Sequence, residues 1–324
     1  MGARLTVRDL SVTFRRERDS VFAVTDVSFG IAPGEIVGLV GESGCGKSVT
    51  TKAILKLIDG PNVTTGGEVL LDDENLLLYK EARMRQVRGK RISLISQNPL
   101  SSLNPVLTIG DQVAEPLIQH YKMSKKEALR NARSTLDSVG FPKGDTYLKR
   151  YANEFSGGMR QRIAIAMALV GEPDLIIADE PTTALDVTIQ AQILNLLKDI
   201  VARTGTSLLL ITHDLAVVAE MCDKIGVMYA GQMVEWGTKR QVLTAPRHPY
   251  TEALLSAVPD KGGGEGFVTI PGQPPKLNAI PDHCHFADRC RYAEASCRAG
   301  IIGFESNAEG RGVRCLKPLR RSLS

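Results

Sequence analysis

The run Glu35-Ile-Val-Gly-Leu-Val40 is short and apolar, and it feeds directly into Gly41-Glu42-Ser43-Gly44-Cys45-Gly46-Lys47-Ser48, then into a helical stretch from about Lys47 to Leu57. Strand, glycine-rich loop and helix in that order restrict the chain to an α/β core. The glycines let the backbone curl so that successive N–H groups point at one place, and the following helix adds the positive end of its dipole. Such a loop cradles phosphates. Gly41, Ser43, Gly44, Cys45, Gly46 and Val49 form its wall, Lys47 neutralises β- and γ-phosphate charge, and Ser48 offers a hydroxyl to Mg²⁺.

Two further apolar runs, Leu175 to Ala178 and Ser207 to Thr212, end in polar residues and read as buried strands. Reactive groups gather at the C-terminal ends of such strands. The first delivers Asp179 and Glu180, about 130 residues downstream of the loop. Paired with a phosphate loop, the first carboxylate suits Mg²⁺ and the second suits polarisation of an attacking water. Between Gln97 and Phe155 the pattern turns helical. Ser124 and Glu127 form a capping box, Ala128, Leu129, Ala132, Leu136 and Val139 keep one apolar face, and Gly140 follows as a C-cap.

At 324 residues the chain suits one large domain and a smaller appendage. A net charge of +4 is too mild to argue for a nucleic-acid partner. The longest apolar run, Ile163 to Val170, has eight residues, against the roughly eighteen needed to cross a bilayer. The N-terminus has no charged-then-apolar secretory pattern, and the match of Met1-Gly2 with Thr6 to a myristoylation pattern is of a kind common by chance. A cytoplasmic location follows, with any membrane role supplied by partner chains. After Pro259, Lys261-Gly-Gly-Gly-Glu-Gly266 reads as a flexible linker, and the remainder is loop-rich.

In chain order there follow the phosphate loop, Gln97, Phe155-Ser156-Gly157-Gly158-Met159, Asp179-Glu180, Ala184-Leu185-Asp186 and His213. This order resembles an ABC-type ATPase cassette over about residues 4 to 255. The resemblance implies that Ser156, Gly157 and Gly158 close over the nucleotide of a second cassette. It also implies that Gln97 senses the γ-phosphate through Mg²⁺, that Asp186 is the D-loop aspartate, and that His213 bonds the γ-phosphate. An adenine-stacking aromatic is expected upstream of the loop, with Phe14 preferred and Phe22 second.

Longer stretches narrow the likeness. Ser96-Gln-Asn-Pro-Leu-Ser-Ser-Leu-Asn-Pro105, Ala178 through Gln192, and His248-Pro-Tyr-Thr251 with Ala257-Val-Pro259 resemble the bacterial di- and oligopeptide (and nickel) importer ATPases. Phe155 and Met159, in place of the commoner leucine and glutamine, are typical of that group. The group implies a second, related ATPase subunit, two transmembrane subunits and an external binding protein, with the cassette at the cytoplasmic face of the membrane. The expected layout is a nucleotide-binding domain over 1–259, with a helical subdomain at about 98–160, and a C-terminal extension over 260–324. An exporter ATPase is the nearest rival, opposed by the extension. DNA-repair and ribosomal ABC ATPases would need a coiled-coil insertion or two cassettes.

Cys284, Cys290, Cys297 and Cys315 cluster in the extension, with five, six and seventeen residues between them. Paired zinc spacing is absent. Four cysteines can hold a [4Fe–4S] cluster, and the importer resemblance favours one here. Zinc, with His283 or His285 able to substitute, and free or oxidised thiols are the alternatives. Under the cluster reading the extension is a metal-stabilised appendage, and a regulatory redox device is a further reading. Cys45 and Cys222 read as packing residues.

Overall fold

The structure, a computed structural model, describes residues 4–17, 19–141, 145–183, 185–257 and 270–320. The expected linker Lys261-Gly-Gly-Gly-Glu-Gly266 and Ala184 lie outside the described residues. The chain builds two compact units, one within 1–31, 36–77 and 211–324, the other within 32–35 and 78–210.

The first unit contains an antiparallel sheet in the order Ser20–Ile31, Leu5–Arg15, Val63–Leu71, Glu74–Asn75. Its central strand explains its own sequence. Leu5 and Val7 face the core on odd positions, whereas Leu10 and Val12 face it on even ones. A bulge at Arg8-Asp9 shifts the register between these pairs, with Asp9 at φ 49°. The opposing Gly67, at φ 90°, meets the bulge so closely that a Cβ would lie 2.5 Å from the Arg8 and Asp9 carbonyls. Only glycine fits there.

The same unit carries the strands Ile36–Val40, Lys224–Tyr229, Gln232–Thr238, Gly312–Val313 and Glu305–Ser306, adjacent in that order. Ile36–Val40 and Lys224–Tyr229 run parallel, and every residue of the former is buried, as a strand covered on both faces requires. Lys224–Tyr229 turns back into Gln232–Thr238 through Ala230 and Gly231, both at positive φ, as a two-residue hairpin demands. The loop-rich appendage expected at the C-terminus is stitched into this sheet. Val313 and Gly312 pair with Glu235 and Trp236. Beneath that pairing the fully buried Glu235 carboxylate accepts from Arg311 at 3.1 Å and from the N–H groups of Arg247 and His248 at 2.8 and 2.9 Å.

In the second unit Ile92–Ile95 and Leu175–Asp179 pair in parallel, and Ser207–Ile211 neighbours the latter. The helices Ile109–Tyr121, Lys125–Ser138 and Gly157–Leu169 pack together. Ser124 caps Lys125–Ser138 by accepting from Glu127 N, and Ala128, Ala132, Leu136 and Val139 are buried as its period predicts. Gly140, at φ 94°, ends the helix. Among the described residues no helix is long and apolar enough to cross a membrane.

Candidate functional site

The first unit presents the phosphate loop. The strand Ile36–Val40 ends at Gly41, whose φ of 152° and tight setting exclude any side chain, since a Cβ would lie 2.1 Å from the Met228 carbonyl. The loop reaches the helix Lys47–Ile54 through Gly46, and Ser43 and Gly44 face solvent while Cys45 and Lys47 are buried. The Lys47 ammonium donates to the carbonyls of Gly41 at 2.7 Å and Glu42 at 3.0 Å. Burial pushes the Cys45 thiol pKa up, against the opposing pull of Lys47, so Cys45 packs under the loop as a neutral side chain. Ser48 and Val49, half-buried, open the helix.

Phe14 is half-buried in the antiparallel sheet, opposite Val21 and Val63. Phe22 is exposed and borders a different space, a cavity of about 230 Å³ that also touches Gln232, His285 and Arg314. His213 is exposed just after the strand Ser207–Ile211, and Asp214 beside it caps the helix Leu215–Met221 through Ala216 N and Val217 N.

The second unit presents two further groups. Leu175–Asp179 is buried throughout and ends on Asp179, with Glu180 next at φ 48°, a left-handed conformation rare for glutamate. Gln97 Nε2 donates to Glu180 Oε2 at 2.9 Å, and Thr183 Oγ1 donates to the same oxygen at 2.9 Å. The structure therefore brings together Gln97 and Glu180, two residues that sequence reading had joined only by resemblance. Thr183 was missed; it lies in Pro181-Thr-Thr183, directly after the carboxylates.

Ser156 and Gly157 are exposed, and the Ser156 hydroxyl caps the helix Gly157–Leu169 by accepting from Met159 N at 3.4 Å. A Cβ on Gly158 would lie 2.7 Å from Ile189 Cγ2, so this glycine admits the neighbouring helix Val187–Thr204. Asp186 caps that helix through Ile189 N at 3.0 Å. Phe155 is buried in an aromatic cluster, edge-on to Phe141 at 6.0 Å and tilted against Tyr147 at 6.0 Å. An aromatic residue rather than leucine at this position has a packing reason.

The ABC transporter family pattern matches residues 24–183, and the pattern for the oligopeptide/dipeptide transporter C-terminal region matches 234–297. The chain is 48% identical over 314 residues to the dipeptide transport ATP-binding protein DppD of Bacillus subtilis (strain 168), covering 96% of this chain and 93% of that one. It is 45% identical over 322 residues to the oligopeptide transport ATP-binding protein OppD of Escherichia coli (strain K12), covering 99% and 95%. The chain belongs to the ABC transporter ATP-binding proteins. It is an ABC ATPase, an ATP-hydrolysing transport subunit, and its family works with membrane permease partners. Among solved structures, the dimeric, post-hydrolysis ATP-binding cassette MJ0796 bound to ADP and Pi aligns with a TM-score of 0.65 and 29% identity, over 72% of this chain and 98% of that one.

One expectation is corrected. Cys284, Cys290, Cys297 and Cys315 border one small space together with Pro249, Phe286 and Tyr292. Its volume is about 20 Å³, room for about one water rather than an iron–sulfur cluster. Among the described residues no group of three or more histidine, cysteine, aspartate or glutamate side chains is placed to hold a metal ion. Burial raises the Cys284 and Cys290 thiols and pushes Cys315 up to about 11, so these three are neutral side chains at neutral pH. The [4Fe–4S] cluster is withdrawn, and zinc at these cysteines with it. His283 and His285 instead bond the carbonyls of Cys284 and Ala230, at 3.1 and 3.0 Å.

Proposed function

We propose that this ABC ATPase energises the import of dipeptides or oligopeptides. One observation carries the reading: an ABC transporter pattern and an oligopeptide/dipeptide transporter C-terminal pattern occur in one chain, alongside near-full-length identity to DppD and OppD. The layout we assign is a nucleotide-binding domain over 1–259 and a peptide-importer extension over 260–324. The partners we assign are two membrane-spanning permease subunits, a second ABC ATPase and an external substrate-binding protein, with this chain peripheral on the cytoplasmic face.

The roles we assign are those that the family resemblance implies for these residues, and the chemistry of the side chains is compatible with them. Gly41, Ser43, Gly44, Cys45, Gly46, Lys47, Ser48 and Val49 hold the phosphates, and Phe14 stacks on adenine. The hydroxyl of Ser48, the carboxylate of Asp179 and the amide oxygen of Gln97 are hard oxygen donors of the kind magnesium takes alongside nucleotide phosphates. Magnesium bound with ATP neutralises phosphate charge. Glu180 accepts a proton from the attacking water, and His213 bonds the γ-phosphate. Ser156, Gly157, Gly158 and Asp186 serve the nucleotide held by the second cassette; the dimeric MJ0796 cassette with ADP and Pi supports a paired arrangement. ATP binding then favours a closed pair and hydrolysis reopens it, a ligand-shifted equilibrium.

Uptake of a radiolabelled dipeptide and a tripeptide in cells lacking this chain, with and without its restored gene, tests the reading. Loss of uptake that the wild-type gene restores and Glu180→Gln does not is the expected result. Unchanged peptide uptake with lost nickel accumulation would overturn the peptide assignment.

A further inference from the structure

The second residue of the phosphate loop is tied down from the C-terminal extension. Arg289 donates from Nη1 to Glu42 Oε2 at 2.8 Å and from Nη2 to Glu42 Oε1 at 2.9 Å, a bidentate pair between residues 247 positions apart. The arginine side chain is 6% exposed and the glutamate 25%. Arg289 is itself pinned, because Nη1 also reaches the Tyr229 hydroxyl at 3.2 Å and Nε donates to the Pro271 carbonyl at 2.8 Å. Tyr229 leans on Tyr250 and Phe286, with ring centroids 4.6 and 5.2 Å away.

The same scaffold grips the Glu42 backbone. The Tyr250 hydroxyl accepts from Glu42 N at 3.0 Å, while the Glu42 carbonyl accepts from Lys47 Nζ at 3.0 Å and from Cys45 N at 3.3 Å. Backbone N–H, carbonyl and carboxylate of this one residue are thus all held. The two chain segments that hold it from outside the loop, around Tyr250 and Arg289, both lie in the region matched by the oligopeptide/dipeptide C-terminal pattern. A simple phosphate loop needs no such help, since its glycines and the helix N-terminus suffice. A glutamate beside the phosphates is a burden there, because its negative charge repels a nucleotide unless a cation answers it.

We propose that Arg289 is a positioning residue for nucleotide binding: it neutralises Glu42 and fixes the entry of the phosphate loop, so that the importer-type extension sets the affinity of this cassette for ATP. The proposal rests on the assignment of the loop as the ATP site. The side chain acts through Glu42 and touches no nucleotide. Removing Arg289 leaves a half-buried carboxylate unanswered at the loop, and that cost scales with the negative charge of the ligand.

The test uses the full-length chain and measures equilibrium binding of ATP, ADP and adenosine to wild type, Arg289→Ala, Arg289→Lys, Glu42→Gln, the Arg289→Ala/Glu42→Gln double variant and Lys47→Ala. Arg289→Ala should weaken ATP about tenfold, ADP less, and adenosine not at all. Arg289→Lys should recover part of the loss, and the double variant should bind ATP more tightly than Arg289→Ala alone, because the unpaired charge is gone. A structural defect would weaken all three ligands alike and would not be relieved by Glu42→Gln; that pattern overturns the proposal. Wild-type ATP affinity in Arg289→Ala also overturns it, provided Lys47→Ala has lost binding. If Lys47→Ala binds ATP normally, it is the assignment of the loop that fails. Should Arg289→Ala not fold, Glu42→Gln probes the pair from the other side: it should bind ATP at least as tightly as wild type, and weaker binding would overturn the role of charge.

Discussion

Gln97 Nε2 donates to Glu180 Oε2 at 2.9 Å, and Thr183 competes for the same oxygen at 2.9 Å. The residue assigned as general base is therefore held by two neutral donors that orient its carboxylate without protonating it. Oxygen Oε2 is engaged by both, so the glutamine proposed to report on the nucleotide and the glutamate proposed to act on it are linked.

Replacing Glu180 by Gln keeps the shape and the acceptor oxygen but removes the proton acceptor. ATP binding should stay within a few-fold of wild type, while hydrolysis by the assembled transporter falls by about 10²–10⁴-fold. Phosphate release under saturating ATP measures it. Turnover within a few-fold of wild type would remove Glu180 from the chemical step.

Lys47 satisfies its ammonium on the Gly41 and Glu42 carbonyls of its own loop. Alanine removes a charge that, by the assigned role, ATP phosphates recruit. Affinity for ATP should drop roughly 10- to 100-fold, the worth of one or two charge-assisted hydrogen bonds. Calorimetric titration of the full chain decides it, and an unchanged affinity would leave the loop without its assigned ligand.

These contrasts show what a sequence can declare. The strand Ile36–Val40, its loop and the helix Lys47–Ile54 are encoded locally, and so is the cap at Ser124. Short-range periodicity and side-chain hydrogen bonding suffice to read them. The antiparallel sheet was not legible, because the bulge at Asp9 switches the buried positions of Leu5–Arg15 from odd to even and erases the alternation that announces a strand. The pairing of Glu42 with Arg289 was equally hidden, since nothing in either neighbourhood marks a partner 247 residues distant. The four cysteines erred in the opposite direction. Their clustering in the chain suggested a metal, whereas their shared space is too small and no metal-holding group forms among the described residues.

Phe155 tests packing apart from chemistry. Its ring fills a cluster with Phe141 and Tyr147, immediately before the exposed Ser156 and Gly157. Leucine, the commoner residue here, leaves the edge of Phe141 without a face to meet. Phe155→Leu should cost about 1–2 kcal/mol of stability by denaturant titration, with ATP affinity unchanged. An unaltered midpoint would mean that the cluster tolerates either side chain.

His248 offers a prediction in pH. Its ring is buried, with Nδ1 accepting from Tyr250 N at 3.0 Å, and burial lowers its pKa from 6.5 to about 3. Around it lie Arg314, whose backbone raises the pKa while its positive charge adds to the lowering, the Phe286 ring at 5.9 Å, and Glu235, which accepts from the His248 backbone N–H at 2.9 Å. With its folded value below its unfolded one, the neutral ring is favourable above about pH 6.5, and that contribution is lost as pH falls from there toward 3. Over that window the unfolded chain binds a proton that the folded chain refuses, at up to about 1.4 kcal/mol per pH unit. Glu235 works against it, because burial raises its carboxyl pKa and makes the folded state favour protonation. His248→Asn separates the two, since asparagine can still cap the helix Pro249–Ser256. Wild type should lose stability faster than the variant as pH drops below 6.5, and parallel slopes would show that the imidazole is not held neutral. The helix in question carries Tyr250, whose hydroxyl holds Glu42 N in the phosphate loop. Wild-type ATP affinity should therefore weaken over the same acid window, and weaken less in His248→Asn.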